Sequence, residues 1–486
     1  ATYMVPGLAE AQGSSIPRLA LVTDNALTYA HQGALTDLDQ QGLFRAVSKW
    51  TVKVERAGMI PHVLRRALRL ATSGRPGVAQ VTLPKDVLSQ EAASPSIYAE
   101  QACREYPSYP QRPAAQAVEC AAQALLAAQR PVMVAGGGVH SARAWREVET
   151  LADLLALPVA TTINGKGAIR ETHPLSLGVI GGNGARDYAN AFVREADLVF
   201  FVGTKVNYVD TANWTAPSRE RPPTILQLDV DPGEVGNNYP VDVGLAGDAR
   251  LALQDLITAL GTLDRRERRA ALAAEIAGRA RGWWQEMEQA AAMEGTPVRP
   301  ERIIRELEAH LPAEHIIVAD PGTPTPFTAA MYRTRVPGRT VVIPRAHGGL
   351  GYAIPGVVGA RQARPNAAVV GLLGDGSFAM SAGDLASIVR VGGPIVLLHF
   401  NNGCYGWIKM LQERECAGRY LSVDFTESID YCRVAQGFGL RAWRVEHSRD
   451  LASALQQALR AGCPVFIDVL TPPEHVVVPP VAAWRS

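Results

Sequence analysis

Ala368-Val-Val-Gly-Leu-Leu-Gly374-Asp375-Gly376-Ser377 and Ile395-Val-Leu-Leu-His-Phe400-Asn401-Asn402-Gly403-Cys404-Tyr405 are the two halves of the stretch that decides how this chain folds. Each is an apolar run of strand length that stops at turn residues. Between them, Leu385, Ile388 and Val389 fall on one face of a predicted helix. A strand–helix–strand unit of this kind is almost always a right-handed crossover, so both strands end on the same sheet edge. Neighbouring strands lie about 4.8 Å apart, which lets Asp375 and Asn402 converge on one small site. One carboxylate and one amide oxygen beside a glycine turn suit Mg²⁺. That ion prefers octahedral oxygen coordination, takes few protein ligands and leaves positions for phosphate oxygens. The N–H groups of Gly376 and Ser377 can take other phosphate oxygens where the helix begins. A tight turn followed by an Asn-Asn loop, with no ligand at all, is the plainer alternative.

Composition narrows the field. A chain of 486 residues is too long for one core, and about three domains is the natural expectation. Hydrophobic residues at 47% and charged residues at 20% describe a soluble α/β protein. Lys+Arg 48 against Asp+Glu 47 gives a net charge of +1, so neither nucleic acid nor an anionic membrane is an expected partner. The six cysteines have no CxxC or Cys/His spacing and read as reduced thiols. No apolar run reaches membrane-spanning length, and the first residues lack the basic and apolar regions of a signal peptide. The cytoplasm is the expected compartment.

Read in order, the chain predicts an α/β protein of three doubly wound parallel-sheet domains, spanning residues 1–95, 114–262 and 300–486. The first shows strands at 19–22 and 78–83 and an amphipathic helix at 61–71, with Val63, Leu64, Ala67 and Leu68 on its inner face. Two strands are too thin a layer to close such a sheet, so this domain is expected to be incomplete, with a segment preceding Ala1. Residues 98–113, rich in Pro, Tyr and Gln, read as a linker. The middle domain has predicted strands at 131–135, 158–162, 198–202 and 225–228. Gly136-Gly137-Gly138 after the first of them is a weak nucleotide signal without a persuasive acidic partner, and close packing is the stronger reading. Residues 264–293 predict a charged, solvated helix between domains. The last domain has predicted strands at 316–319, 340–343, 368–373, 395–400 and 465–470.

Three constellations line up with the opening stretch. Asp320-Pro321-Gly322-Thr323-Pro324-Thr325 follows a strand and can present N–H and hydroxyl donors to a phosphate, or be a plain turn. His347-Gly348-Gly349-Leu350-Gly351-Tyr352 suggests a backbone pressed against a flat ligand, with Leu350 as a wedge. Tyr405-Gly406-Trp407-Ile408-Lys409 reads equally as the wall of a substrate cavity and as a core aromatic cluster.

On these residues the chain resembles the thiamine diphosphate-dependent enzymes of the acetolactate synthase, benzoylformate decarboxylase and glyoxylate carboligase type. Ser14-Ser15-Ile16-Pro17, Leu43-Phe44-Arg45, Ser48-Lys49-Trp50 and Leu83-Pro84-Lys85-Asp86-Val87 are similar to that family's pyrimidine-binding domain. Gly165-Lys166-Gly167, Ala196-Asp197-Leu198, Gly203-Thr204 and Gly247-Asp248 are similar to its central domain, and the Gly374-Asp375-Gly376 and Asn401-Asn402 unit to its pyrophosphate domain. The resemblance implies that Asp375, the Asn402 side chain and the Cys404 carbonyl hold Mg²⁺. It places the cofactor against Gly322, Thr323, Thr325, His347, Gly348, Gly374, Gly376, Ser377, Tyr405 and Gly406, with the Leu350 side chain between the two rings as the catalytic wedge. The implied cofactors are thiamine diphosphate and Mg²⁺. The implied substrate is a small 2-oxo acid, which cannot lose CO₂ unless a cofactor supplies a nucleophile and an electron sink. A homodimer or homotetramer with active sites between chains is also implied.

The family's glutamate, which activates the pyrimidine ring, precedes the region matching Ala1, and no residue of this chain takes its place. Decarboxylation or carboligation is the leading expectation. A thiamine diphosphate-dependent C–C hydrolase or acyltransferase is the alternative within the class. A non-catalytic protein of the same fold is the alternative outside it, and a nucleotide-binding oxidoreductase rests on Gly136-Gly137-Gly138 alone.

Overall fold

The computed structural model describes residues 1–92, 97–425 and 429–485. The predicted end of the first domain at residue 95 lies outside the described residues. Among those described, every strand belongs to one of three all-parallel sheets.

The first sheet holds β1 (Arg18–Asp24), β2 (Trp50–Lys53) and β3 (Val78–Pro84) in the order β1-β3-β2. It has three strands where two were expected: β2 is four residues long and half-buried throughout, too short for alternation to show. The helix Ile60–Thr72 packs Val63, Ala67 and Ala71 inward, and Leu68, expected on that face, is exposed instead.

The second sheet contains β4 (Pro131–Ala135), β5 (Val159–Thr161), β6 (Ser176–Val179), β7 (Leu198–Val202), β8 (Thr224–Asp229) and β9 (Val243–Ala246), ordered β6-β5-β4-β7-β8-β9. Its central strands are wholly buried, which is why they read as continuous apolar runs. The two edge strands escape the sequence pattern. Each is four residues long and contains a glycine, which weakens a strand signal. Gly136 and Gly138 lie against Gly203, and a Cβ on Gly136 would strike the Gly203 carbonyl oxygen. Close packing therefore accounts for Gly136 and Gly138, whereas a Cβ on Gly137 would meet nothing nearer than 3.6 Å.

The third sheet is built from β10 (His315–Ala319), β11 (Val341–Val342), β12 (Ala368–Gly374), β13 (Ile395–Asn401), β14 (Arg441–Val445) and β15 (Val465–Leu470), ordered β11-β10-β12-β13-β15-β14. Its missed edge strand, β14, buries only Val445 of its five residues. The crossover between β12 and β13 is three pieces rather than one helix: Asp375–Ser381, a 3₁₀ turn at Ala382–Asp384, and Leu385–Val391. Leu385 and Ile388 face the core, whereas Val389 is exposed.

The helix Arg266–Ala292 corrects another expectation. It is not solvated all round, because Ile276, Ala280, Trp283, Met287 and Ala291 recur at helical spacing and bury one face. Beside it, Glu171 pairs with both Lys166 and Arg186, and all three side chains are buried. Lys166 Nζ also donates to the Ala329 carbonyl (2.9 Å) and Arg186 Nε to that of Ala330 (2.8 Å), fastening the middle sheet's layer to the helix Pro324–Met331 of the last domain. Among the described residues no helix is long and apolar enough to cross a membrane.

Candidate functional site

The parallel register pairs Gly374 with Phe400, so the ends of β12 and β13 stand side by side. The Asn402 backbone N–H donates to Asp375 Oδ2 at 3.0 Å. Asp375 is 3% exposed; the Tyr431 hydroxyl bonds its carboxylate, yet Oδ1 has no hydrogen-bond partner of its own and lies 3.6 Å from His399 Nε2. An orphaned carboxylate oxygen at this depth costs free energy unless a cation meets it. Gly374 has no left-handed φ, and a Cβ there would meet nothing within 4 Å. Gly322, Gly348 and Gly403 also face open space. The donors and the free room fit a divalent cation carrying a phosphorylated ligand.

The two asparagines have separate tasks. Asn401 turns inward, its amide donating to Asp468 Oδ1 at 3.0 Å. Asp468 also receives His399 Nδ1 (2.9 Å) and Arg444 Nε (2.8 Å). Asn402 alone faces the site. Its Nδ2 donates to Glu474 Oε2 (3.1 Å), while its Oδ1 accepts from the Cys404 N–H (3.2 Å). Burial pushes the Cys404 thiol up to about 12, with the Glu474 carboxylate adding to the effect, so no thiolate forms near neutral pH. The backbone carbonyl is then the atom of Cys404 suited to a hard cation.

On the other side of the site, Thr323 Oγ1 bonds to Glu474 Oε1. Thr325 is different from the expectation. Its hydroxyl donates to the Asp320 carbonyl at 2.7 Å inside the loop and is fully buried, so it is not offered to a ligand. Asp320 accepts the N–H groups of Tyr352 and Ala353, each at 2.8 Å, and bonds the Ser377 hydroxyl, which leaves only the backbone of Ser377 for a phosphate.

Leu350 projects from a loop flanked by Gly348 (φ +73°) and Gly351 (φ +81°), and it is 47% exposed. A left-handed backbone suits glycine, and a Cβ on Gly351 would crowd Met380 at 2.9 Å. What holds this loop was not anticipated. Glu10, 6% exposed, accepts three successive backbone N–H groups, from Ala346 (3.2 Å), His347 (2.8 Å) and Gly348 (3.0 Å). Its Oε1 also accepts from Ser14 Oγ at 2.8 Å.

Of the candidate wall residues, Tyr405 packs edge-on against Phe425 at 4.9 Å and borders Gly376. Ile408 is exposed, but Trp407 packs at a tilt against Trp484, ring centres 4.3 Å apart, in a cluster with Met410 and Val481. Trp407 is therefore a packing residue. Gly406 is required by contact, because a Cβ there would overlap the Glu474 carboxylate. Glu10, Glu474 and His399 went unnoticed in the sequence, since none belongs to a spaced motif; a polar residue inside an apolar strand was the sign available at His399.

A separate cavity of about 450 Å³ opens beside Gly137 and Gly138, bordered by Arg75, Lys205, Asp229 and Arg345. Neither Asp375, Asn402 nor Leu350 lines it.

Comparison with known proteins bears on this arrangement. Residues 118–256 match the family profile described as the central domain of thiamine pyrophosphate enzymes, and residues 320–469 match the C-terminal TPP binding domain of such enzymes. The chain is 30% identical over 492 residues to the acetolactate synthase isozyme 3 large subunit of Escherichia coli, covering 98% of this chain and 83% of that protein. It is 29% identical over 499 residues to a probable acetolactate synthase large subunit of Methanocaldococcus jannaschii, covering 99% and 81%. A putative thiamine pyrophosphate-containing protein of Bacillus subtilis, YdaP, is 27% identical over 470 residues, covering 97% and 78%.

Proposed function

The chain belongs to the thiamine pyrophosphate enzyme family, and from that membership we propose that it binds thiamine diphosphate through Mg²⁺ and decarboxylates or ligates a small 2-oxo acid. One observation carries the metal part of this reading: Asp375 Oδ1 is buried without a hydrogen bond of its own, at paired strand ends where the Asn402 backbone N–H holds the other oxygen. Asp375, Asn402 Oδ1 and the Cys404 carbonyl would hold the cation, which leaves its other positions to phosphate oxygens and water. Thiamine diphosphate, when bound, supplies the nucleophile and electron sink that a 2-oxo acid lacks.

The chain's own residues provide orientation. Glu10 holds the 346–348 backbone, and Leu350 stands clear of it as an apolar wedge on which a folded cofactor would rest. The division into domains at 1–95, 114–262 and 300–486 belongs to the same proposal. So does a cytoplasmic homodimer or homotetramer in which active sites form between chains.

Titration of the full chain with thiamine diphosphate, followed by circular dichroism with and without Mg²⁺, tests the reading. Binding is expected to require Mg²⁺, and Asp375→Ala is expected to weaken it by about a hundredfold or more. Binding unaffected by Asp375→Ala, or no CO₂ from pyruvate, glyoxylate or benzoylformate, overturns it. Product analysis with the same three acids separates ligation from simple decarboxylation and from hydrolysis or acyl transfer.

A further inference from the structure

Glu474 lies 72 residues beyond Asn402, in the segment after β15, and is 1% exposed. Each of its carboxylate oxygens is committed. Oε1 accepts from Thr323 on the loop after β10, and Oε2 accepts from Asn402 Nδ2 on the loop after β13. One side chain thus ties the ends of three strands together around the site.

An asparagine amide can rotate by half a turn with little change in shape, exchanging a donor for an acceptor. What selects one orientation is the chemistry of its neighbours. A carboxylate only accepts, so it draws the NH₂ end of Asn402 and leaves the oxygen pointing the other way. On that other side the Cys404 N–H (3.2 Å) and Sγ (3.3 Å) both donate to the oxygen, agreeing with the orientation the acid selects, and Asp375 stands near through the Asn402 backbone. The surroundings keep the acid in place: Gly406 leaves the space its carboxylate fills, and any Cβ at 406 would collide with it.

We propose that Glu474 is the positioning residue for the metal centre, fixing the Asn402 amide so that its oxygen, and not its nitrogen, faces the cation. The inference rests on the reading of Asn402 as a Mg²⁺ ligand. Glu474 would act on the centre through its bond to Asn402 Nδ2, while its second oxygen, held by Thr323, keeps the carboxylate in place. What it must supply is an acceptor at that distance, so a neutral side chain with an oxygen in the same place can serve. Glutamine meets this demand, with its oxygen toward Asn402 and its NH₂ toward the Thr323 hydroxyl.

The experiment is the Mg²⁺ concentration for half-saturation of the full chain at saturating thiamine diphosphate, read by circular dichroism, alongside the thermal midpoint of each protein. Glu474→Met keeps the length and removes the acceptor, and is expected to raise that concentration about tenfold or more. Glu474→Gln is expected to stay within about threefold of the parent. Asn402→Ala is expected to raise it at least as far, and adding Glu474→Met to Asn402→Ala is expected to add nothing, because the two act as one unit. Thr323→Val, which frees one oxygen of the acid, gives a smaller rise and serves if Glu474→Met does not fold.

The outcomes separate the two claims. If Asn402→Ala leaves Mg²⁺ affinity unchanged, the metal reading itself fails. If Asn402→Ala weakens binding while Glu474→Met and Thr323→Val do not, the metal reading stands and the positioning role is overturned. Additive losses in the double variant, or a Glu474→Gln loss as large as that of Glu474→Met, overturn it as well.

Discussion

Leu350 shows how much one side chain on a loop can be asked to do. It contributes no polar atom, and under the proposed function its use is its bulk, held outward between two glycines in left-handed conformations. Leu350→Ala is expected to lower kcat by about tenfold to a hundredfold while changing cofactor affinity less, since it removes orientation rather than an anchor. Steady-state kinetics and a binding titration on one preparation check the split. Asp320 carries a different expectation. Burial pushes its carboxyl up to about 6, against the lowering pull of the Ala353 and Tyr352 N–H groups. In an unfolded chain the same group releases its proton near pH 4. From about pH 4 to pH 6 the folded state therefore holds more protons than the unfolded one, and this group's contribution to stability falls as pH rises. Asp320→Asn has no such slope, so its deficit relative to the parent should shrink by up to about 3 kcal/mol between pH 4 and pH 7. Thermal midpoints across that range measure it, and a constant deficit contradicts it. At this scale the sequence was legible where residue type and spacing spoke together, as at Asp375 and Asn402. It was silent at Glu10 and Glu474, whose partners lie 336 to 338 and 72 or 151 residues away.

Long strands such as β13, buried throughout, and β12, buried between its two end residues, could be read directly, because a parallel sheet covered on both faces leaves a mostly apolar run. The edge strands β2, β6, β9 and β14 could not. They are four or five residues long, and β9 and β14 bury a single residue each, so tertiary pairing rather than local pattern makes them strands. The loop 346–351 belongs to this scale as well. Its backbone is held by an acid from the helix Val5–Gly13, so one element shapes another through three N–H groups. Glu10→Gln replaces one accepting oxygen with a donor and is expected to cost about 1–3 kcal/mol. Hydrogen exchange at Ala346, His347 and Gly348 should speed up in the variant, whereas unchanged protection there means the loop is held by something else.

Across the molecule, the middle and last domains are joined by charge as well as by apolar packing. Burial pushes the Glu171 carboxyl up, but the Arg186 and Lys166 cations together outweigh it and hold it below the usual carboxylate range. Glu171→Gln leaves two buried cations without their anion and should cost roughly 3–5 kcal/mol. Denaturant unfolding measures the loss, and a change under about 1 kcal/mol contradicts this account. The pairing was hidden in the sequence because Glu171 and Arg186 stand 15 residues apart and share no helical or strand spacing. Gly406 has a consequence of another kind. Its missing side chain is the room in which the Glu474 carboxylate lies. A methyl group at 406 would push that carboxylate aside and loosen its hold on Asn402, so a shorter or uncharged residue at 474 is the change expected to accompany it.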